Sequence, residues 1–270
     1  MAKMKIGIPE WSRTIAPFEG VLLNYQMDNA LKVLKGPRVL EVGCGDGTTT
    51  KILCRSFPDV VGIDSSRPAI LEAITKCENA AFIHKAIEKF TPDKPFDSIL
   101  MMDVLEHVRD PQALLNKAYS WLKPNGILVV QCPNAESLNR RIGLKMGLIK
   151  GLKTLDAAEK KKGHKHLFDI HDLNQMTAEA GFGWLSSGGF FLKPLPNAKM
   201  MRLVNDMEWQ EGSGMSFCDA LNEIGGELDD YANIIYVHSI KNPDYRMVKS
   251  ALLSNKPLPL REIPTKPVRK

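Results

Sequence analysis

The chain has 270 residues, of which 44% are hydrophobic and 25% are charged, and its formal net charge is +5. This composition is typical of a soluble globular protein with one large domain, and no apolar run reaches the roughly 18 to 20 residues that span a bilayer. Residues 1–10 lack the apolar stretch of a signal peptide, and the five cysteines contain no CxxC pair, so we expect a cytoplasmic protein without a membrane span, a disulfide framework or a cysteine-bound zinc ion.

The first half of the sequence alternates short apolar runs with helical stretches, which is typical of a parallel sheet with crossover helices. Helix-capping residues such as Ser66 and Asp110 mark where helices begin. The predicted strands are 38–42, 60–63, 81–84, 96–102 and 127–131, and the predicted helices are 48–56, 67–77 and 111–122. These elements define a core domain over residues 36–133, preceded by an N-terminal helical cap over residues 1–35.

The pattern changes after Asn134, where a basic, helix-prone segment replaces the alternation. Residues 132–166 contain nine Lys and Arg and three acids, so this stretch alone carries a charge of +6. We predict a basic helical lid over residues 134–170. Residues 171–240 then complete the core around an irregular, substrate-side insertion at 193–230, with a helix at 172–180, a strand from 181 and a last strand at 231–240. Residues 241–270 are predicted to be a surface tail.

The strongest functional signal is the run Glu41-Val42-Gly43-Cys44-Gly45-Asp46-Gly47-Thr48, which follows a strand and opens a helix. Glycines at such a turn let the backbone bend sharply and let a ligand approach closely. A dinucleotide fingerprint would read GxGxxG, whereas this run reads GxGxG after an acid. That pattern suits a positively charged ligand bearing an amino acid better than it suits a diphosphate. The alternative is a tight strand-to-helix turn that binds nothing.

A second acid, Asp64, ends the next strand 23 residues after Glu41 and is followed by Ser65. A carboxylate at this point can accept both ribose hydroxyls of a bound nucleoside. Alone, Asp64 would more often be a helix cap, but after the glycine loop the nucleoside interpretation is favoured. A nicotinamide-dependent oxidoreductase is a rival hypothesis, and the glycine spacing disfavours it.

Four runs in this order, EVGCGDG, GIDSS, FDSILMMDVLEHVRDP and LKPNGILVVQCPN, resemble the class I S-adenosylmethionine-dependent methyltransferases. The resemblance is to the branch with the ubiquinone-biosynthesis O-methyltransferases, and it covers roughly residues 36–190. It implies an α/β, Rossmann-like, seven-stranded and mostly parallel sheet, with helices on both faces and an antiparallel last strand.

The same resemblance implies that the cofactor is S-adenosylmethionine, bound across the carboxyl ends of the first and fourth strands. Residues after the third strand would flank the adenine, and residues after the fourth would face the methionine end. The run His84-Lys85-Ala86-Ile87 lacks the acid that is common there, which favours adenine recognition through the backbone. The implied cofactor-binding residues are Glu41, Gly43, Cys44, Gly45, Gly47, Asp64, Ser65, Ala86, Ile87, Met102 and Asp103.

Asp103, Glu106 and His107 follow the fourth strand at i, i+3 and i+4, so they would share one face if this segment were helical. Three such groups could bind a divalent cation or supply a general base. The alternative, which we favour, is that His107 packs against the cofactor loop while the acids solvate the turn. We therefore predict no metal and keep His107 as a catalytic candidate.

The segment from Gly163 to His171 resembles the family segment that closes over the methyl acceptor. A histidine there is suited to take a hydroxyl proton. His164 is the first catalytic candidate and His166 the second. The alternative is a solvated loop before a helix capped by His171 and Asp172.

The basic lid favours a small anionic acceptor over RNA or a membrane surface, because residues 132–166 contain no Phe, Tyr or Trp on which unpaired bases could stack. We expect an enzyme that methylates a hydroxyl, less readily an amine, in a biosynthetic pathway. The alternative is a non-catalytic regulatory module that binds S-adenosylmethionine. Residues 190–195 and 205–209 could line the acceptor pocket, form a small core or mediate a homodimer contact, and the sequence leaves these options open.

Overall fold

A computed structural model describes residues 17–204 and 217–242. Its seven-stranded sheet has the order β3-β2-β1-β4-β5-β7-β6. Neighbouring strands are parallel except where β7 pairs with β5 and β6, so β7 alone is reversed and the predicted fold class is confirmed. The strands are β1 (Arg38–Val42), β2 (Asp59–Asp64), β3 (Ala80–His84), β4 (Phe96–Met102), β5 (Leu122–Pro133), β6 (Gly183–Phe190) and β7 (Ile234–Ile240).

Helices cover both faces of this sheet, and several of them begin at a side-chain cap. The side chains of Ser66 and Asp110 accept hydrogen bonds from backbone N–H groups of the helices that follow them. The cap of α7 is Asp169, not His171 and Asp172, because Asp169 and Asp172 each accept the other's N–H in a capping box. The helices are α1 (Pro17–Leu31), α2 (Thr48–Leu53), α3 (Arg67–Lys76), α4 (Pro111–Trp121), α5 (Leu138–Lys145), α6 (Ala157–Lys161), α7 (Ile170–Glu179), α8 (Asn197–Val204) and α9 (Phe217–Glu227).

The core lies in two layers because successive residues of a strand face opposite sides of the sheet. Val39 packs in a cluster with Met27 of α1 and Leu53 of α2. The next residue, Leu40, packs in a second cluster with Leu115 of α4. Burial of both faces explains why the strands read as continuous apolar runs.

The insertion contains α8 and α9, so the prediction of an irregular segment there was wrong. The sequence did not predict α9, because this helix contains Gly225 and glycine is a poor helix former. In the structure, a Cβ at Gly225 would lie 2.4 Å from the backbone N of Phe191, so glycine is needed for this close approach. Phe190 and Phe191 belong to a small core with Phe18 of α1, while residues 205–209 lie outside the described residues.

The lid is a closed loop whose two ends meet at the sheet. Asn134 and Phe168 form an isolated parallel bridge, and the N–H of Ala135 donates to the carbonyl of Phe168 over 2.8 Å. The side-chain amide of Asn134 also donates to the carbonyl of Ala232, which joins the base of the lid to the segment before β7. Among the residues that the structure describes, no helix is long and apolar enough to cross a bilayer.

Candidate active site

The glycine loop between β1 and α2 leaves room for a ligand. Gly45 has a φ of +52°, and a Cβ built there would meet no atom within 4 Å, so its open side faces empty space. Gly47 has a φ of +77°, and a Cβ there would lie 2.8 Å from Ala73, which lets α3 pack against the loop. Left-handed backbone at these positions favours glycine, so the loop shape follows from the sequence.

Asp64 at the end of β2 holds this loop. Its Oδ2 accepts the N–H of Gly45 over 3.0 Å, and its Oδ1 accepts the N–H of Ser66 over 2.7 Å. The side chain of Cys44 is buried, whereas Ser65 is exposed. The carboxylate of Asp64 therefore holds the backbone of the glycine loop, and its contact with a ribose stays a prediction.

Glu41 lies in β1 with only 2% of its surface exposed. Its two carboxylate oxygens accept the hydroxyls of Thr49 and Thr50, which ties β1 to the first turn of α2. Burial raises the pKa of Glu41 to about 7, against the opposing effect of these hydrogen bonds. These contacts account for the side chain without a ligand, and a cofactor contact for Glu41 stays a prediction.

Asp103 follows β4 at the same edge of the sheet. Its φ of +54° is a left-handed conformation that is uncommon outside glycine. Its Oδ2 accepts a hydrogen bond of 3.1 Å from Nε2 of the buried Gln26, and solvent still reaches the side chain. Because β1 to β4 are parallel, the loops that follow them lie at the same edge of the sheet. Met102, Ala86 and Ile87 belong to these strand ends and loops and are half-buried.

The segment after β4 is a turn and not a helix, so Asp103, Glu106 and His107 do not share a helix face. Glu106 instead points inward, with 1% of its surface exposed, and burial raises its pKa to about 8. Ligand atoms of Glu106, His107 and His164 lie within 4.8 Å of one another, which is close enough for one cation to contact all three. The sequence pattern did not predict that His164 joins this cluster, because His164 lies on the lid, far along the chain from Glu106 and His107.

His164 is buried at the inner side of the lid. Its ring packs edge-to-face on His107 with centroids 4.7 Å apart, and its Nδ1 lies against Oε2 of Glu159. Burial lowers the pKa of His164, while the charge of Glu159 opposes that effect. Sequence reasoning had not singled out Glu159, because nothing in the local pattern links it to a histidine.

Arg140, which is 8% exposed, holds Glu159 in place. Its Nη1 lies 3.4 Å from Glu159 and 3.5 Å from Asp156, and its Nη2 donates to the carbonyls of Leu152 and Thr154. One guanidinium group therefore fastens the middle of the lid. A buried, multiply bonded arginine is typical of a structural anchor.

The side chain of His166 lies in a different place from that of His164. It lines a cleft of about 700 Å³ together with Lys160, Phe168 and Met176, between the lid and α7. The ring of His166 stacks on Phe168 with centroids 5.8 Å apart. The structure therefore brings His107 and His164 together and leaves His166 apart from them.

Comparison with known proteins identifies the family. A model described as "Methyltransferase domain" matches residues 23–187. A ubiquinone biosynthesis O-methyltransferase of Bradyrhizobium diazoefficiens is 37% identical over 112 residues, which are 39% of this chain and 43% of that protein, so the chain spans less than half of this relative. A protein of the same name from Coxiella burnetii is 32% identical over 171 residues, or 61% of this chain and 71% of its own.

A solved structure has the same fold. The N-methyltransferase NodS from Bradyrhizobium japonicum, in complex with S-adenosyl-L-homocysteine, superposes with a TM-score of 0.54 at 16% identity, covering 89% of this chain and 94% of that one. The family model and the Coxiella relative carry the conclusion, since the structural likeness reports the fold alone. The chain belongs to the S-adenosylmethionine-dependent methyltransferases of the methyltransferase-domain family and is similar within it to the ubiquinone biosynthesis O-methyltransferases.

Proposed function

We propose that this protein transfers a methyl group from S-adenosylmethionine to a hydroxyl, less readily an amine, of a small anionic metabolite. The observation that carries the proposal is the meeting of two features at one edge of the sheet. One is the glycine loop with Asp64 hydrogen-bonded to it, and the other is the contact between the half-buried His107, which follows β4, and the buried His164 of the lid. The candidate cofactor site and the candidate proton acceptor thus lie at the same edge.

The residues at this edge fit the cofactor that the family implies. The space at Gly45 would be filled by any Cβ, and the carboxylate of Asp64 adjoins it, as a bound ribose requires. Asp103 offers a carboxylate held by Gln26 for the amino group at the methionine end, and Ala86 and Ile87 offer backbone for the adenine. When bound, S-adenosylmethionine supplies an electrophilic methyl group on a positively charged sulfur.

The chain's own contribution to the reaction is alignment, exclusion of water and removal of a proton. Glu159 lies against Nδ1 of His164, so it favours the tautomer whose Nε2 is free to accept a proton. Because burial lowers the pKa of His164, the ring is neutral at pH 7 and ready to act as a base. The lid covers the ring and keeps bulk water from it.

We expect His164→Ala to lower kcat by about 100-fold while KM changes by no more than about threefold, because loss of a general base acts on the transition state. The measurement is steady-state methylation with labelled S-adenosylmethionine across a panel of hydroxylated and amino acceptors. His171→Ala, at an exposed position on α7, is the matched control and should behave as wild type. A higher KM with unchanged kcat in His164→Ala would make the ring a binding residue and not a base.

We expect dialysis against EDTA to leave turnover unchanged. A metal ligand must lose its proton, and with a pKa of about 8 Glu106 is mostly protonated at pH 7. His164 is also engaged by Glu159. A loss of turnover that one added divalent ion restores would reverse this prediction and make Glu106, His107 and His164 metal ligands.

The alternative hypothesis is a regulatory module that binds the cofactor without turnover. The acceptor panel separates the two hypotheses. Calorimetric binding of S-adenosylmethionine with no methylation of any acceptor would favour the module. Methylation of a hydroxylated acceptor would support the enzyme.

A further inference from the structure

Two cysteines in the first half of the sheet lie in contact with each other. The sulfur of Cys77 lies 3.4 Å from the sulfur of Cys54, and both thiols are free. Cys54 is half-buried, whereas Cys77 is only 5% exposed. Because a disulfide bond is about 2.05 Å long, the two sulfurs need to approach each other by only about 1.4 Å to form one.

The pair lies at the ends of two helices that begin beside the candidate cofactor site. Cys54 is the C-cap of α2, and Cys77 is the C-cap of α3. The first of these helices begins at the glycine loop, and the second begins just after Asp64. Asp46 of the glycine loop also pairs with Lys76, the residue before Cys77. A bond between the two sulfurs would therefore fasten α2 to α3 at the ends that lie away from the loops.

We infer that Cys54 and Cys77 form a reversible redox site, which a low-molecular-weight disulfide such as oxidised glutathione converts to a stabilising intramolecular disulfide. The thiolate of Cys54, the more accessible of the two, attacks one sulfur of the oxidant and displaces one glutathione. The sulfur of Cys77 then attacks Cys54 in this mixed disulfide, and the second glutathione leaves. The two cysteines lose two electrons and two protons, which the two reduced glutathione molecules carry away.

The environment of the pair sets when the bond forms and what it does. In a reducing compartment both thiols stay free, so the bond forms only when the oxidant accumulates. Burial, and then the adjacent sulfur of Cys77, raises the pKa of Cys54 to about 12, so the attacking thiolate is scarce near neutral pH and the reaction is slow there. The bond would join residues 23 positions apart, which restricts the unfolded chain and so stabilises the fold.

The test treats the folded, full chain with oxidised glutathione in mildly alkaline buffer and digests the product with trypsin without reduction. Trypsin cleaves after Lys and Arg, so Cys54 lies in the peptide 52–55 and Cys77 in the peptide 77–85. We expect these two peptides to be joined and the intact mass to fall by the mass of two hydrogen atoms. The Tm should rise by about 5 °C or more, and dithiothreitol should reverse all three changes.

Single variants separate the two steps. Cys77→Ser lacks the thiol that resolves the mixed disulfide, so it should retain one glutathione on Cys54. Cys54→Ser should stay unmodified and show no rise in Tm, because its remaining thiol at Cys77 is buried. Cys218→Ala, which changes a buried cysteine of α9, is the matched control and should form the bond as wild type does.

A glutathione adduct on wild-type Cys54 without joined peptides would overturn the inference, as would a bond from Cys54 to any cysteine other than Cys77. Joined peptides with an unchanged or lower Tm would also overturn it, because the bond would then not stabilise the fold. The inference does not rest on the proposed function, since none of these measurements involves methyl transfer.

Discussion

Asp64→Ala is expected to abolish measurable binding of S-adenosylmethionine, with at least about a 100-fold loss of affinity, because hydrogen bonds to a charged acceptor contribute about 1.5–3 kcal/mol each. The carboxylate accepts the N–H groups of Gly45 and Ser66, so its removal frees the glycine loop. It also removes the group proposed to hold the ribose. Isothermal titration with S-adenosylmethionine and S-adenosylhomocysteine measures the loss.

Asp59→Ala is the matched control, since it removes an acid from the opposite end of the same strand. Asp59 pairs with Arg38 over 2.7 Å, away from the glycine loop. We expect this variant to bind the cofactor as wild type does, and both variants to keep the wild-type circular dichroism spectrum. If Asp64→Ala binds the cofactor with unchanged affinity, this carboxylate does not hold the ribose.

Arg140→Met is expected to loosen the lid. Its guanidinium group is bonded to Glu159, to Asp156 and to the carbonyls of Leu152 and Thr154, and these partners are only partly buried. Hydrogen bonds to a charged group contribute about 1.5–3 kcal/mol, so the variant should lose about that much stability in the lid. Hydrogen exchange at the amides of α6 should quicken by about tenfold or more, because opening of the lid becomes easier.

Arg141→Met is the control next to it. Arg141 is one-third exposed, bonds to Glu136 over 2.6 Å and stacks over Tyr231, and exposed pairs of this kind contribute about 1 kcal/mol or less. Its exchange rates in α6 should stay within a few fold of wild type. If the two variants exchange alike, Arg140 is not the anchor of the lid.

The sequence predicted the sheet well because the information there is local. Val39 and Leu40 face opposite layers and are both apolar, so a fully buried parallel strand could be read directly. The glycines at 43, 45 and 47 likewise predict a sharp turn of the backbone, and each of them has a positive φ in the structure. Ser66 and Asp110 capped the helices that they were expected to cap.

The lid and the insertion could not be predicted in the same way, because their contacts join distant residues. His164 meets His107 and Glu106 across more than fifty positions, and no periodicity encodes that distance. Arg140 reads as one more basic residue of a charged segment, yet it is buried. Gly225 reads as a helix breaker, and only the backbone at Phe191 explains its presence in α9.

The bridge between Asn134 and Phe168 has a consequence for how such a protein can change its substrate. Because the two ends of the lid are held side by side, the chain between them forms one loop that leaves the sheet and returns to it at the same place. Lengthening such a loop carries only a small entropic cost, about 0.6 kcal/mol for each doubling of its length. On the proposed function, a loop of this kind exchanged between relatives would change the acceptor preference while the strands beneath keep the same cofactor.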